Sequence, residues 1–509
     1  MSIVEQAVSA IRGGEIADGT IAALIPLFAG RTVLVLGDVM LDRYVSGEVS
    51  RISPEAPIPV LHATAARASL GGAANVAHNV AALGARAILL GVVGVDDAGT
   101  EIERLAATAG ESIDARLLAI PHRPTTVKTR FTTRGAHQLL RVDNETTDPL
   151  DDKSVAEVER RFAEALTESD IVVLSDYAKG VLCDRLLSDV VALSRRALRP
   201  IIADPKRPSF RAYRDVTVLT PNAHEVTQAT GIDAGADEGA ERAARAALDA
   251  AACDAVIVTR SENGLTLLRR NMPALHLPAR VQEVSDVSGA GDTFVAALAT
   301  TLACNPDLEK ATRIANIAAG ISVARPGTAV VSVRDLTEEL RRRNVIASDE
   351  KIMPAETALQ RIAEWRRHGL KIGFTNGCFD LIHPGHVHLL AQARAACDRL
   401  VVALNTDASV RRLKGSERPI QSEAARATVM SSLASVDLVV LFAEDTPLSL
   451  INAIRPDILV KGADYRPDEV VGADIIRRSG GRVLLVDLLP SQGTTATIAR
   501  VRERTRAAG

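Results

Sequence analysis

Short runs of β-branched and other apolar residues alternate with Ala-rich segments of 3.6-residue period along almost the whole chain. This pattern predicts parallel strands joined by helical crossovers. In the first part the strand candidates are TVLVLGD (32–38), DIVVLSD (170–176), PIIADPK (200–206), VTVLTPN (216–222) and DAVIVTR (254–260). Several end in Asp, Asn or Lys, and ligands of open α/β sheets sit beyond the carboxyl ends of the strands. Between about 332 and 370 the pattern becomes charge-dense and reads as two amphipathic helices around a polar joint near Ala347–Pro354. A second strand series follows: KIGFTNG (371–377), RLVVALN (399–405), DLVVLFA (437–443), DILVKGA (457–463) and RVLLVDL (482–488). The expectation is an α/β chain with two doubly wound domains, 1–346 and a smaller 371–509, separated by a helical linker 347–370. No internal repeat links the halves.

Composition narrows the partners. With 60 Lys+Arg against 63 Asp+Glu there is no global charge to attract nucleic acid or an anionic membrane. At 3% aromatic residues, stacking platforms for single strands would have few rings. Five scattered cysteines with no C-x-x-C pair argue against a disulfide scaffold or zinc ribbon. The N-terminus lacks the basic-then-apolar order of a signal peptide, and no apolar run is long enough for a membrane span, so the chain reads as cytoplasmic.

In DVSGAGDTFVAALAT (286–300), Gly289-Ala290-Gly291 stand where a loop becomes a helix. Free N–H groups and the helix dipole can receive the charge of a transferring phosphoryl group there. Asp292, just inside that turn, is suited to taking a proton from an attacking hydroxyl; the alternative is an ordinary acid at a helix N-terminus. The string resembles the C-terminal signature of the ribokinase-type (PfkB) carbohydrate kinases, and GGAANVAHNVAALGA (71–85) resembles that family's N-terminal signature.

The resemblance, over roughly residues 28–335, implies a ribokinase-like domain with a small β lid. In it Gly71 and Gly72 let the backbone approach the sugar and Asn75 contacts its hydroxyls. No Gly-Lys dipeptide occurs, which excludes a Walker-type P-loop. By resemblance, ATP is met by Asn222, Ala223, His224, Glu225 and Asn316, with Mg²⁺ held through water at Glu225 and a monovalent cation near the anion hole. A capping role for Asn222 is the competing reading. Asp38 and Asp42 are candidates for sugar hydroxyls. Arg51, Lys128, Arg130, Arg134 and Arg141 are candidates for a phosphate already on the substrate. DVMLDRY and SDYAKGVL resemble the branch that phosphorylates heptose 7-phosphate at its anomeric hydroxyl, which makes Lys179 a candidate for neutralising the phosphate.

GFTNGCFDLIHPGHVHLLAQA (373–393) reads as strand, glycine turn and helix, with His383 and His386 at the helix start. Zinc and burial in the core are the alternatives for these histidines, but H-x-x-H-x-H does not match the usual i, i+4 zinc pair. NGCFDLIHPGH resembles the signature of the cytidylyltransferase-like nucleotidyltransferases, in which the two histidines stabilise the α-phosphate of a nucleoside triphosphate. Lys414 and Arg426 are expected at the triphosphate, with Thr494 and Thr495 on the ATP side. Lys461 and Asp464 are expected on the sugar-phosphate side, and Asp380 as a nucleotide or substrate contact. A sugar 1-phosphate is already an anion, so this second site needs charge neutralisation rather than a base.

The two-domain combination resembles the bifunctional ADP-heptose-forming family of lipopolysaccharide-making bacteria. That resemblance implies D-glycero-β-D-manno-heptose 7-phosphate and ATP giving the 1,7-bisphosphate, and the 1-phosphate and ATP giving ADP-heptose and pyrophosphate. A separate phosphatase acts between the two steps, and a homodimer is expected. The alternatives are another sugar phosphate, or CTP in the second step.

Overall fold

The structure is a computed structural model that describes residues 21–133, 137–279, 286–325, 327–349, 351–463, 466 and 469–487. The chain forms two compact units, one mainly Thr20–Leu340 and the other mainly Arg341–Gly509, and the division falls inside the helix Val333–Asp349.

The first unit is built on a nine-stranded sheet. Its strands run, in spatial order, Leu275–Leu277, Leu265–Arg269, Ala255–Thr259, Val218–Leu219, Ile201–Asp204, Ile171–Ser175, Thr32–Gly37, Arg86–Gly94 and Ile113–Ile120. Six of the neighbouring pairs are parallel, and the Leu265–Arg269 strand pairs antiparallel on both sides. Both faces are covered, which explains the unbroken apolar runs. Val33 and Val35 pack in the cluster containing Phe294 and Ile314, whereas Leu34 and Leu36 pack in the one containing Phe162 and Leu187. VTVLTPN yields only the two-residue strand Val218–Leu219, because Pro221 lacks an N–H and Asn222 already caps the next helix. A separate four-stranded sheet, ordered Pro59–Gly72, Val39–Ile52, Thr126–Thr133, Gln138–Asn144, forms the expected lid.

The second unit has six parallel strands, ordered Ile352–Met353, Leu438–Phe442, Arg399–Asn405, Ile372–Gly377, Ile458–Gly462 and Arg482–Val486. The first of these and the helix Ala355–Arg367 come from the segment expected as a linker. Ile352 and Met353 pair with Val439 and Val440, and Ala358 and Ile362 are buried with Phe374, Phe442 and Ile454. The charge density of this segment lies on the outer face of a helix whose i, i+4 apolar pair joins the core. Among the described residues, no helix is long and apolar enough to cross a membrane.

The burial of Ile362 predicts that Ile362→Ala costs the second unit about 2–5 kcal/mol. Chemical denaturation should read this as a lowered midpoint for that unit with the first unit unmoved. A change below about 0.5 kcal/mol would show the helix to be an appendage.

Candidate active sites

The helix Ala290–Cys304 carries the first site. Every residue from Asp292 to Thr301 is buried, and the hydroxyls of Thr300 and Thr301 donate to the carbonyls of Ala296 and Ala297, each at 2.8 Å. A helix enclosed on all sides holds its first turn rigidly. Gly289 caps it at φ 79°, a left-handed conformation that glycine adopts without strain, and Ala290, Gly291 and Asp292 make the first turn. Asp292 is 5% exposed. Its Oδ2 accepts from Asn75 Nδ2 at 2.7 Å and its Oδ1 from the Tyr177 hydroxyl at 2.5 Å. Burial pushes this carboxyl up to about 6, against the pull of the Tyr177 and Asn75 hydrogen bonds.

Asp42, on the lid strand, is buried and paired with Arg130 Nη1 at 2.5 Å. Gly71 serves this acid: a Cβ there would lie 2.5 Å from Asp42 Oδ2, and one at Gly72 would lie 2.4 Å from the Asp38 carbonyl. The paired glycines therefore let strand pass strand.

Asp38 is taken up by backbone partners. It is 1% exposed, and its carboxylate accepts the backbone N–H groups of Tyr177 (2.8 Å), Lys179 (3.0 Å) and Val181 (3.2 Å). It fastens the loop that carries Tyr177. Asn75, also 1% exposed, donates to Asp292 and receives Asn79 Nδ2 on its own backbone carbonyl at 3.0 Å, so it orients the acid.

Lys179 is tied to Glu145 Oε1 at 2.6 Å. Lys128, opposite Asp42 in the lid register, holds its Nζ 5.7 Å from the Tyr177 ring centre. Arg141 pairs with Asp143 in solvent and Arg51 is exposed; Arg134 lies outside the described residues.

On the ATP side the capping alternative is realised. Asn222 Oδ1 accepts from Glu225 N at 2.8 Å and Glu225 Oε2 accepts from Asn222 N at 2.9 Å, a capping box that opens the helix Ala223–Thr230. The other oxygen of Glu225 receives Lys206 Nζ at 2.5 Å. His224 is exposed, and Asn316 Nδ2 donates to the Pro278 carbonyl at 3.2 Å. Asp204, at the carboxyl end of its strand, was not singled out from sequence although PIIADPK showed a polar strand end. Burial, then the neighbouring charges of Glu225 and Asp292, push its carboxyl well above the usual range. Among the described residues, no group of three or more His, Cys, Asp or Glu side chains is arranged to hold a metal ion.

In the second unit His383 caps the helix Pro384–Ala396, and its ring stacks on that of His386 with centroids 3.7 Å apart. The Nδ1 atoms of both are buried without a hydrogen-bond partner among the described residues. Burial lowers His383, and burial together with His383 lowers His386 to about 4. Both rings are therefore neutral at pH 7.

Lys461 Nζ donates to the Asn376 carbonyl at 3.0 Å, at the carboxyl ends of adjacent strands. Lys414 is exposed at the end of the helix Asp407–Lys414. Cys378's thiol is raised chiefly by burial, and Lys414's charge is among those opposing that rise. Asp464, Thr494 and Thr495 lie outside the described residues.

Asp380 and Arg426, both expected at a ligand, are engaged by partners within the unit. Asp380 accepts from Arg418 Nε (2.5 Å), Ile420 N (2.8 Å) and Gln421 N (3.0 Å). Arg426 is fully buried and spends its guanidinium on the carbonyls of Cys378, Asn405 and Gln421 and on Asp407.

The pfkB family carbohydrate kinase model matches residues 31–335, and the cytidylyltransferase-like model matches residues 374–479. The chain is 51% identical over 489 residues to the bifunctional protein HldE of Rhodospirillum rubrum, covering 96% of this chain and 98% of that one. The chain belongs to the bifunctional HldE family. It is likewise 51% identical to HldE of Caulobacter vibrioides, over 95% of this chain and 99% of the relative. The phosphofructokinase-2 of Escherichia coli, solved with substrates and products, covers 61% of this chain and 98% of its own with a TM-score of 0.52 at 20% identity. A structure of that enzyme with potassium aligns over the same shares at 0.51. These two share the fold. As an HldE-family chain the protein is a bifunctional enzyme that joins a ribokinase-like carbohydrate kinase to a nucleotidyltransferase.

The buried network around Arg426 predicts that Arg426→Met lowers the stability of the second unit by about 3 kcal/mol or more, since it leaves several buried acceptors unpaired. Kinase activity should be unchanged. Loss of nucleotidyl transfer at an unchanged unfolding midpoint would instead return Arg426 to the triphosphate.

Proposed function

We propose that the first unit phosphorylates D-glycero-β-D-manno-heptose 7-phosphate at its anomeric hydroxyl, and that the second adenylylates the heptose 1-phosphate to ADP-heptose. The observation that carries the kinase reading is Asp292, a carboxylate nearly out of water at the mouth of a buried helix. It takes the proton of the C1 hydroxyl as that oxygen bonds the γ-phosphorus and the bond from γ-phosphorus to the bridging oxygen of ADP breaks. The N–H groups of the Gly289–Gly291 turn receive the charge on the transferring group. Asp42 holds sugar hydroxyls. Lys128 and Lys179 face the substrate's phosphate, a role supported by their shared position beside Asp42 and Glu145. The choice of heptose rests on DVMLDRY, SDYAKGVL and membership of the HldE family.

Asp204 and Glu225 are the residues that would hold a hydrated Mg²⁺ on ATP, which supplies charge neutralisation for the phosphates when bound. A monovalent cation beside the anion turn is proposed by analogy with the potassium complex of the phosphofructokinase.

In the second unit an oxygen of the sugar 1-phosphate bonds the α-phosphorus of ATP and pyrophosphate leaves. No proton needs to be removed, in keeping with a mouth made of two imidazoles, Lys414 and Lys461. The unpaired Nδ1 atoms of His383 and His386 support a polar ligand there. The first product carries two phosphates and the second substrate one, so a separate phosphatase acts between them. ATP for both steps is available in the cytoplasm, the proposed location. Leu139, Leu140 and Val142 on the lid's edge strand are exposed, which supports a homodimer closed over that sheet.

Asp292→Asn should abolish ATP turnover on heptose 7-phosphate and spare ADP-heptose formation, while joint replacement of His383 and His386 by Ala should do the reverse. Turnover on a different sugar phosphate, or with CTP in the second step, and none on these substrates, would overturn the assignment. A base that is protonated below about pH 6 cannot accept a proton. Kinase kcat should therefore fall about tenfold per pH unit below that value and level off above it, as a pH–rate profile will read.

A further inference from the structure

Tyr177 stands outside both signature strings of the kinase half, yet it makes one of the two side-chain hydrogen bonds to the base among the described residues, 2.5 Å from its hydroxyl to Asp292 Oδ1. We propose that Tyr177 is a positioning residue of the kinase, whose phenol fixes the carboxylate that takes the sugar proton. The inference rests on Asp292 being that base.

The loop around Tyr177 is tied down from several directions. Asp38 accepts three of its backbone N–H groups. Asp176, the residue before it, accepts from Ala178 N (2.7 Å), the Tyr213 hydroxyl (2.7 Å) and Arg207 Nε (3.1 Å). Arg123 Nη2 donates to the Lys179 carbonyl at 2.5 Å. Ala178 sits at φ 54°, a left-handed conformation that costs a residue with a Cβ about 1 kcal/mol or more and persists only where its surroundings impose it. The product of this bracing is the place of one phenol.

Two donors, Tyr177 on one oxygen and Asn75 on the other, fix the plane of the Asp292 carboxylate. They thereby aim its remaining lone pairs. The charges facing Asp292 come from three other elements: Asp42 and Lys128 from the lid, Asp204 from the end of its strand and Lys206 just beyond it. Burial, followed by nearby acids, raises Tyr177 well above the ordinary phenol range, so it remains a donor at any working pH. A donor to a carboxylate stabilises the ionised form, and its removal leaves burial and the acids Asp42 and Asp204 to raise Asp292 further.

The test is Tyr177→Phe in the full chain, with D-glycero-β-D-manno-heptose 7-phosphate and ATP as probes. We expect kcat to fall about tenfold or more and the acid limb of its pH profile to move up by about one unit. The KM for the sugar phosphate should stay within about twofold, and nucleotidyl transfer should be unchanged. A fluorinated tyrosine at 177, a stronger donor of the same shape, should move the limb the other way. An unmoved acid limb in both variants, a raised KM with kcat intact, or a raised kcat would each overturn the proposal. Asp292→Asn assayed alongside separates the two readings. Turnover in that variant sinks the base assignment itself, whereas a dead Asp292→Asn beside an unaltered Tyr177→Phe sinks only the role of Tyr177.

Discussion

A carboxylate withheld from water is the constraint around which the first unit is organised. An acid whose ionisation is pushed up to about 6 costs the fold roughly 3 kcal/mol once the pH exceeds that value, because the unfolded chain ionises more readily. This cost is what remains after the two hydrogen bonds from Tyr177 and Asn75, and the acid is held in place by the mouth of an enclosed helix and by a loop tied to Asp38 and Asp176. What the protein gains is a base whose proton affinity lies close to neutral pH. Stability is thus given up at the one position where the chemistry uses it.

The two units show how the nature of a nucleophile dictates the residues around it. A sugar hydroxyl must lose a proton, and the first unit supplies a braced acid for it. A phosphate oxygen arrives without a proton to lose, and the acids nearest the second mouth are turned to other tasks. Asp380 holds the backbone at Ile420 and Gln421, and Asp407 accepts the buried Arg426. One unit concentrates negative charge and the other neutralises it, on sheets that both deliver their polar residues at the carboxyl ends of parallel strands.

Much of this was legible in the chain. Every strand run named from the sequence falls on a parallel strand, since both-face burial leaves apolar blocks, but the parallel strands Arg86–Gly94, Ile113–Ile120 and Ile352–Met353 were not named; Gly289–Asp292 and His383–His386 fall at helix starts as their spacing implies. The hydrogen-bond partners of Asp38, Asn75, Asp380 and Arg426 were not legible. A polar residue in a signature string looks the same whether it faces a ligand or a backbone amide, and only burial with saturated partners separates the two. Tyr177 and Asp204 reach Asp292 from sequence separations of 115 and 88 residues, distances over which no local pattern operates. In the segment 347–370, expected as a linker, the charges are conspicuous, while the Ala358–Ile362 pair that packs it into the second unit's core is not.

The stacked imidazoles carry a consequence for energetics. Both rings are held neutral by burial, so the mouth they form does not attract phosphate through standing positive charge of their own. A polyphosphate seated against them favours the protonated form, and any proton they acquire must be drawn from solvent as the nucleotide enters. On the proposed assignment of this mouth to the triphosphate, such proton uptake links nucleotide capture to pH, with an apparent affinity that strengthens on acidification and a calorimetric heat that carries the ionisation enthalpy of the buffer.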